Sequence, residues 1–395
     1  MRRNTRGCPS APSPPSQATT GSSTWMVSVG VGVAAVPSIL VLRVLYGGGG
    51  AYDSDATHAF NLRLPLGRMR RRALTILLAA LMATAGCTEH LVPPGPATQV
   101  PRETLDAFIM RDGMRLPYRT WLPDGEPAAV VLALHGMNDS RDAWEYPGPE
   151  LATHGIAVFS ADQRGFGDTV DRGYWPGTPA LVDDAREMAV LLRRRYPHAR
   201  LILMGESMGA AVLMCLAASA DPPPADGFVL VAPAVWGRAE MNVFLRASLW
   251  LVANTVPGMT VTGRLAERVA SDNREAIRRL STDPLTIHAT RFDTIRGLVD
   301  LMDAALASAP RFQGRALFLY GGKDELIPDK ATAATWRTLP AGPVRAFYPA
   351  GYHLLLRDVG RMTPIDDILA WIYRSGDPLP SGADRAAAAW LAKQD

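Results

Sequence analysis

Beyond residue 104 the chain alternates short apolar runs with longer stretches of helical period. AAVVLALHG (128–136) and GIAVFSADQRG (155–165) are continuous apolar runs, as strands buried on both faces require. RLILMGES (200–207), GFVLVAPAV (227–235), RALFLYGG (315–322) and VRAFYPAG (344–351) repeat that signature. Between them LVDDAREMAVLLRRRYP (181–197) sets Leu181, Ala185, Met188 and Leu192 near one helical face. MGAAVLMCLAASA (208–220) and TPIDDILAWIYRS (363–375) also read as helices. Ahead of this series, DAFIM and MRLPYRTWLP flank the turn Arg111-Asp112-Gly113 and predict an antiparallel hairpin. Strands alternating with helices predict an α/β domain over 104–375, with a mostly parallel sheet covered on both faces.

One long stretch breaks the alternation. Residues 237–313 contain no clear strand, and MNVFLRASLWLVANTV, RLAERVA, NREAIRRL and DTIRGLVDLMDAALASA all look helical. Lying between two strands of one sheet, this stretch is expected to be a helical insertion. The tail 376–395, with DRAAAAWLAK, is expected to hold a loose extra helix.

The N-terminus follows different rules. Residues 1–68 are rich in Arg, Pro, Ser and Gly without a regular period, and read as an untranslated extension or a disordered leader. Trp25 to Tyr46 is apolar but carries Pro37 and Arg43, which makes a poor transmembrane helix. Met69-Arg70-Arg71-Arg72, the apolar run Ala73 to Ala85 and the junction Gly86-Cys87 have the layout of a secretory signal, 69–87. The Cys after Ala85-Gly86 resembles a bacterial lipobox, with Thr84 where Leu is usual. The expectation is export, cleavage and lipidation at Cys87, giving an envelope lipoprotein on a Pro-rich tether, 88–103.

Composition narrows the classes. Of 395 residues 48% are hydrophobic and 20% charged, an ordinary globular mix that excludes disorder over most of the length. The net charge of +3 is unevenly spread: residues 1–72 hold nine Arg against two Asp, so the remainder is slightly acidic. A slightly acidic body gives no electrostatic reason to expect a nucleic-acid partner. Three Cys are too few for a disulfide framework, and no cluster has metal spacing, so no metal site is expected.

The chemistry lies in the turn Gly205-Glu206-Ser207-Met208-Gly209, a G-x-S-x-G between a strand and an apolar helix. Such a turn holds Ser207 strained and exposed at a helix N-terminus, where free N–H groups meet developing negative charge. A Ser hydroxyl needs a base held by a carboxylate. In Ser…Asp…His order only His288 and His353 follow Ser207. His288 falls in the insertion, so His353, after the strand VRAFYPAG, is the candidate base. Asp324 leaves the strand RALFLYGG and is the candidate acid, with Glu325 and Asp329 as rivals nearby. The backbone N–H of Met208 and that of Met137, in His135-Gly136-Met137-Asn138-Asp139, are the candidate oxyanion donors. His135 is expected to support its loop, as is Asp162 to Asp168 beside the site, and Cys215 to be a core residue.

These motifs together resemble the α/β-hydrolase superfamily over about 105–375. HGMND (135–139), DQRGFGDT (162–169), GESMG (205–209), GGKDELIP (321–328) and the AGYH ending at His353 are similar to its monoacylglycerol lipase and lysophospholipase-like branch. The insertion phrase DPLTIHATRFDTIRGLVDLMDAA (283–305) is similar as well. The resemblance implies an eight-stranded, mostly parallel sheet with a helical cap after the sixth strand. It also implies a cofactor-free serine hydrolase acting on a small lipid or ester. Two other readings remain open. A serine aminopeptidase of the prolyl type would share the triad and use cap carboxylates such as Glu240, Glu267 and Glu275. A non-catalytic binding protein would keep only the fold.

Overall fold

The computed structural model describes residues 91–262, 268–374 and 376–394, together with the backbone of strands within 29–65. The chain divides into two units, 1–83 and 84–395. In the first, β1 (Val29–Val36) and β2 (Ile39–Tyr46) pair antiparallel, and β3 (Ala59–Pro65) joins the other edge of β2. Strands therefore occupy part of a segment expected to be an irregular leader or a poor membrane helix. The β-branched runs VGVGVAAV and ILVLRVLY favour a strand, and Pro37 between them breaks a helix. The signal-like stretch 69–87, including Cys87, lies outside the described residues.

The second unit is built on one nine-stranded sheet. Its strands are β4 (Arg102–Glu103), β5 (Ala107–Ile109), β6 (Arg115–Trp121), β7 (Ala129–Leu134), β8 (Ile156–Ala161), β9 (Arg200–Glu206), β10 (Gly227–Val231), β13 (Ala316–Gly321) and β14 (Val344–Tyr348). The order is β14-β13-β10-β9-β7-β8-β6-β5-β4. Pairing is parallel from β14 through β8 and antiparallel from β8 through β4. Eight of the strands are those expected; the two-residue β4 is the addition. Every residue of β7, β8, β9 after Arg200, β10 and β13 is buried, which is why these strands read as continuous apolar runs.

Alternate residues feed two cores. Val130, Leu132 and Leu134 face the layer containing α2 (Thr178–Arg195) and α3 (Met208–Ala217). Ala129, Val131 and Ala133 face the layer of α1 (Pro147–Thr153) and α8 (Met362–Tyr373). The period of two in the strands thus sorts their side chains onto opposite faces.

The insertion holds α4 (Val243–Thr255), α5 (Arg274–Thr282) and α6 (Phe292–Ser308). It also holds a ribbon absent from the sequence expectation, in which β11 (Thr260–Thr262) pairs antiparallel with β12 (Ala289–Arg291). Three residues per strand are too few to leave a period in the sequence. Of the expected helix RLAERVA, residues 268–270 are irregular. Helix α6 packs close to the body because Gly297 has no side chain: a Cβ there would stand 2.3 Å from the Trp175 ring.

Two expectations about the ends change. From Val92 onward the Pro-rich stretch is docked rather than free. Val92 N–H donates to the Trp175 carbonyl at 3.1 Å, Gly95 N–H to the Asp112 carboxylate at 3.2 Å and Thr98 N–H to the Arg111 carbonyl at 2.8 Å. A Pro-rich chain is already extended and loses little entropy on docking. The C-terminal helix α9 (Ala383–Leu391) is anchored too, since Trp390 stacks on Phe347 with centroids 4.9 Å apart. Between β13 and β14 lies α7 (Asp329–Thr338), whose Trp336 meets the same aromatic group.

Candidate active site

Ser207 sits between the end of β9 and the start of α3, with φ 52° and ψ −110°. A non-glycine residue there is strained, and the surroundings must hold it. Ser207 N–H donates to the Val231 carbonyl at 2.9 Å, and its carbonyl accepts from Ala211 and Ala234 N–H, both at 3.0 Å. The motif glycines give the turn its closeness. A Cβ on Gly205 would lie 2.5 Å from the Gly209 carbonyl carbon, and one on Gly209 would lie 2.3 Å from the Leu134 oxygen. Met208, the first residue of α3, has an N–H that no intrahelical carbonyl can reach.

The loop after β7 lies against this turn. A Cβ on Gly136 would stand 3.4 Å from the Ser207 Cβ. His135 is locked: its Nδ1 meets the Gly136 carbonyl at 2.7 Å, and its Nε2 accepts from Gln163 N–H at 3.0 Å. Asn138 adopts φ 65°, a conformation Asn tolerates, directly after Met137. The cap grips the same loop. Ile287 N–H donates to the Asn138 carbonyl at 2.8 Å, and Asn138 Nδ2 donates to Thr290 Oγ1 at 2.7 Å.

His353 is buried in the loop after β14, and its Nδ1 lies 2.7 Å from Asp324 Oδ2. The other Asp324 oxygen accepts the N–H groups of Leu326 and Ile327 at 2.8 and 2.9 Å, which fixes the carboxylate. Gly321 lets the two loops meet, since a Cβ there would stand 2.5 Å from the Gly351 oxygen. Burial is the largest influence on His353 and disfavours the imidazolium. The Asp324 charge and hydrogen bond, helped by Glu206, outweigh it and raise the pKa above the ordinary value.

The rival residues are occupied elsewhere. Glu325 accepts Val269 N–H at 2.9 Å, and Asp329 accepts Lys330 N–H at 2.7 Å at the start of α7. His288 is exposed on the cap. Cys215, expected in the core, is half-buried against it, and burial pushes its thiol up to about 11. Asp162 accepts from Arg141 N–H at 2.6 Å and Asp168 N–H at 2.8 Å, and the φ of Gly167 is 58°, so that loop is a braced turn. Of the cap carboxylates, Glu275 pairs with Arg278 at 2.7 Å, Glu240 is exposed and Glu267 lies outside the described residues. No group of metal-binding side chains occurs among the described residues. A cavity of about 460 Å³ lies behind the His353 loop, lined by Tyr348, Gly351, Leu355 and Asp358 among others; Ser207 is not in its lining.

Sequence reasoning missed Arg357. It is buried, and its Nη2 donates to Asp139 Oδ2 at 2.6 Å and to Glu206 Oε1 at 2.7 Å. The signal available was a carboxylate in each of two motifs and an Arg four residues past His353, without any indication that they converge.

Comparison with known proteins places this geometry. The family model Hydrolase_4, described as serine aminopeptidase, S33, matches residues 125–360. The chain is similar to the monoacylglycerol lipase of Mycolicibacterium smegmatis, 26% identical over 269 residues that cover 67% of this chain and 95% of that protein. It is also similar to the monoglyceride lipase of Rattus norvegicus, 25% identical over 278 residues, 69% of this chain and 91% of that one. Among solved structures, a soluble variant of monoglyceride lipase from Saccharomyces cerevisiae, in complex with a substrate analogue, superimposes with a TM-score of 0.59. It is 18% identical and the match covers 71% of this chain and 98% of that one. The family model spans more than half of the chain, and the solved structure shares its fold: the chain belongs to the Hydrolase_4 family (serine aminopeptidase, S33) of α/β-hydrolases.

Proposed function

We propose that the protein is a serine hydrolase that cleaves carboxylic esters of lipid-like substrates, a monoacylglycerol or a lysophospholipid, through an acyl-enzyme on Ser207. The observation that carries this reading is the buried His353–Asp324 pair at 2.7 Å, in a fold that strains Ser207 at a helix N-terminus. Relatives named monoacylglycerol lipase, monoglyceride lipase and esterase support ester hydrolysis as the reaction.

In this reading Ser207 Oγ attacks the ester carbonyl while His353 takes its proton. Asp324 keeps the imidazole oriented and stabilises its charged form. The oxyanion is met by the backbone N–H groups of Met208 and Met137. His353 then protonates the departing alcohol, and in the second half it activates water to release the acid. No cofactor enters any step.

The substrate class rests on the relatives and on α4. This cap helix exposes Phe244 (81%) and Trp250 (65%) and buries only Ala253, which suits an encounter with acyl chains or a lipid surface. Export and lipidation at Cys87 fit the same reading, for the motif reasons given above. The family's description as a serine aminopeptidase favours a second reading, hydrolysis of an N-terminal aminoacyl bond. A panel of p-nitrophenyl esters, monoacylglycerols and aminoacyl amides tests both. Turnover of monoacylglycerols with none of aminoacyl amides supports the first; the reverse replaces it.

A further inference from the structure

Three charged side chains from three loops meet beneath the reacting groups. Glu206 directly precedes Ser207, Asp139 ends the loop that carries Met137, and Arg357 stands four residues after His353. One nitrogen of Arg357, Nη2, donates to both carboxylates, at 2.6 and 2.7 Å, and none of the three side chains is more than 7% exposed. We infer that Arg357, through this bridge, is a positioning residue for ester hydrolysis: it holds the nucleophile turn, the oxyanion loop and the His353 loop in one register and sets the charge around His353.

The physical case is that such a triad is a poor way to gain stability. Desolvating three charges is costly, and apolar packing of equal volume often does as well. What an ion bridge adds is fixed geometry between segments far apart in the chain. Here it joins loops that would otherwise adjust separately, and a misplacement near 1 Å at such groups can cost on the order of 100-fold in rate. The Asp324 pair orients the imidazole from one side; the bridge sets where its loop stands relative to Ser207.

The charges act on His353 as well. Asp324 faces it from the loop after β13, Glu206 from the end of β9 and Arg357 from its own loop, with Asp139 behind Arg357. Asp358 faces the same loop, accepting Tyr352 N–H at 2.8 Å and the Ser271 hydroxyl at 2.6 Å. Lys323 sits over the Tyr352 ring, and Glu145 lies within electrostatic reach of Arg357. Glu206 favours the imidazolium and Arg357 opposes it. Removing one or the other should therefore move His353 in opposite directions.

This inference rests on Ser207 and His353 acting as proposed, so its test uses a reagent indifferent to the natural substrate. The rate constant for inactivation by a fluorophosphonate is measured against pH for wild type, Glu206→Gln, Arg357→Met and Arg357→Lys. The rate rises as His353 loses its proton. Glu206→Gln is expected to move the midpoint to lower pH and Arg357→Met to higher pH. Arg357→Met should also lose roughly 10- to 100-fold in the plateau rate, and Arg357→Lys, which can donate twice from one nitrogen, should recover part of both effects. Variants that stay folded by circular dichroism yet leave both midpoints in place overturn the inference, as does a shift of both in the same direction. If Arg357→Met does not fold, the near-isosteric Glu206→Gln decides alone. A wild type that does not react brings down the Ser207 reading as well; a reactive wild type with unmoved midpoints brings down only this one.

Discussion

Nδ1 of His353 and Oδ2 of Asp324 stand 2.7 Å apart, buried, although 29 residues separate them in the chain. The Asp324 charge is what lifts His353 above its ordinary pKa against the effect of burial. Replacing Asp324 with Asn removes that charge and leaves burial dominant. The low-pH limb of kcat/KM, where His353 must lose its proton, should then move to lower pH. The rate at the plateau should fall by about ten thousandfold, because the imidazole is left in the wrong tautomer. A pH profile of p-nitrophenyl butyrate hydrolysis checks both effects.

Ser207→Ala removes the nucleophile without adding bulk to the turn. Hydrolysis should fall by several orders of magnitude with the circular dichroism spectrum unchanged, and fluorophosphonate labelling should vanish. Near wild-type turnover in this variant would show that Ser207 is not the nucleophile.

Gly209→Ala tests the closeness of α3 to β7. The added Cβ would lie 2.3 Å from a backbone oxygen of Leu134, which no side-chain rotation can relieve. The helix must shift and carry the Met208 N–H with it. A loss of roughly 1–3 kcal/mol in chemical denaturation is expected, together with a fall in kcat larger than the change in KM.

The apolar surface of α4 makes a prediction about chain length. If acyl chains are buried against the cap, each methylene should add about 0.8 kcal/mol, or roughly fourfold in kcat/KM, from acetate towards octanoate. Leu249→Ser with Trp250→Ser should flatten that climb while sparing acetate esters. Trp250 is largely exposed and Leu249 half-buried, so folding should survive. A wild type that gains nothing beyond acetate excludes the lipid reading.

Cys87 predicts the route and the anchor. Cys87→Ala should abolish incorporation of labelled palmitate in a bacterial host and leave an uncleaved or unanchored form. A wild type that is unlabelled and stays in the cytoplasm argues for another role for the stretch 69–87.

The periodicity of the chain by itself determined the strands β7 to β10 and the helices α2, α3 and α8, because burial on one face or two is a local pattern. It also determined that a Ser lies at a strand-to-helix turn, since Gly205 and Gly209 are the residues such a turn requires. The order of Ser207, Asp324 and His353 came from the α/β-hydrolase architecture that the motifs resemble. The strand end favoured Asp324 over Glu325 and Asp329; only the tertiary structure shows which of these three carboxylates within six residues meets His353. The same holds for the three-residue ribbon β11–β12 and for the docking of Val92 on Trp175. It holds most for Arg357, whose partners are 151 and 218 residues away. An ion bridge between distant loops leaves no period, spacing or composition to read; it exists only once the sheet has brought the ends of β7 and β9 beside the loop that follows β14.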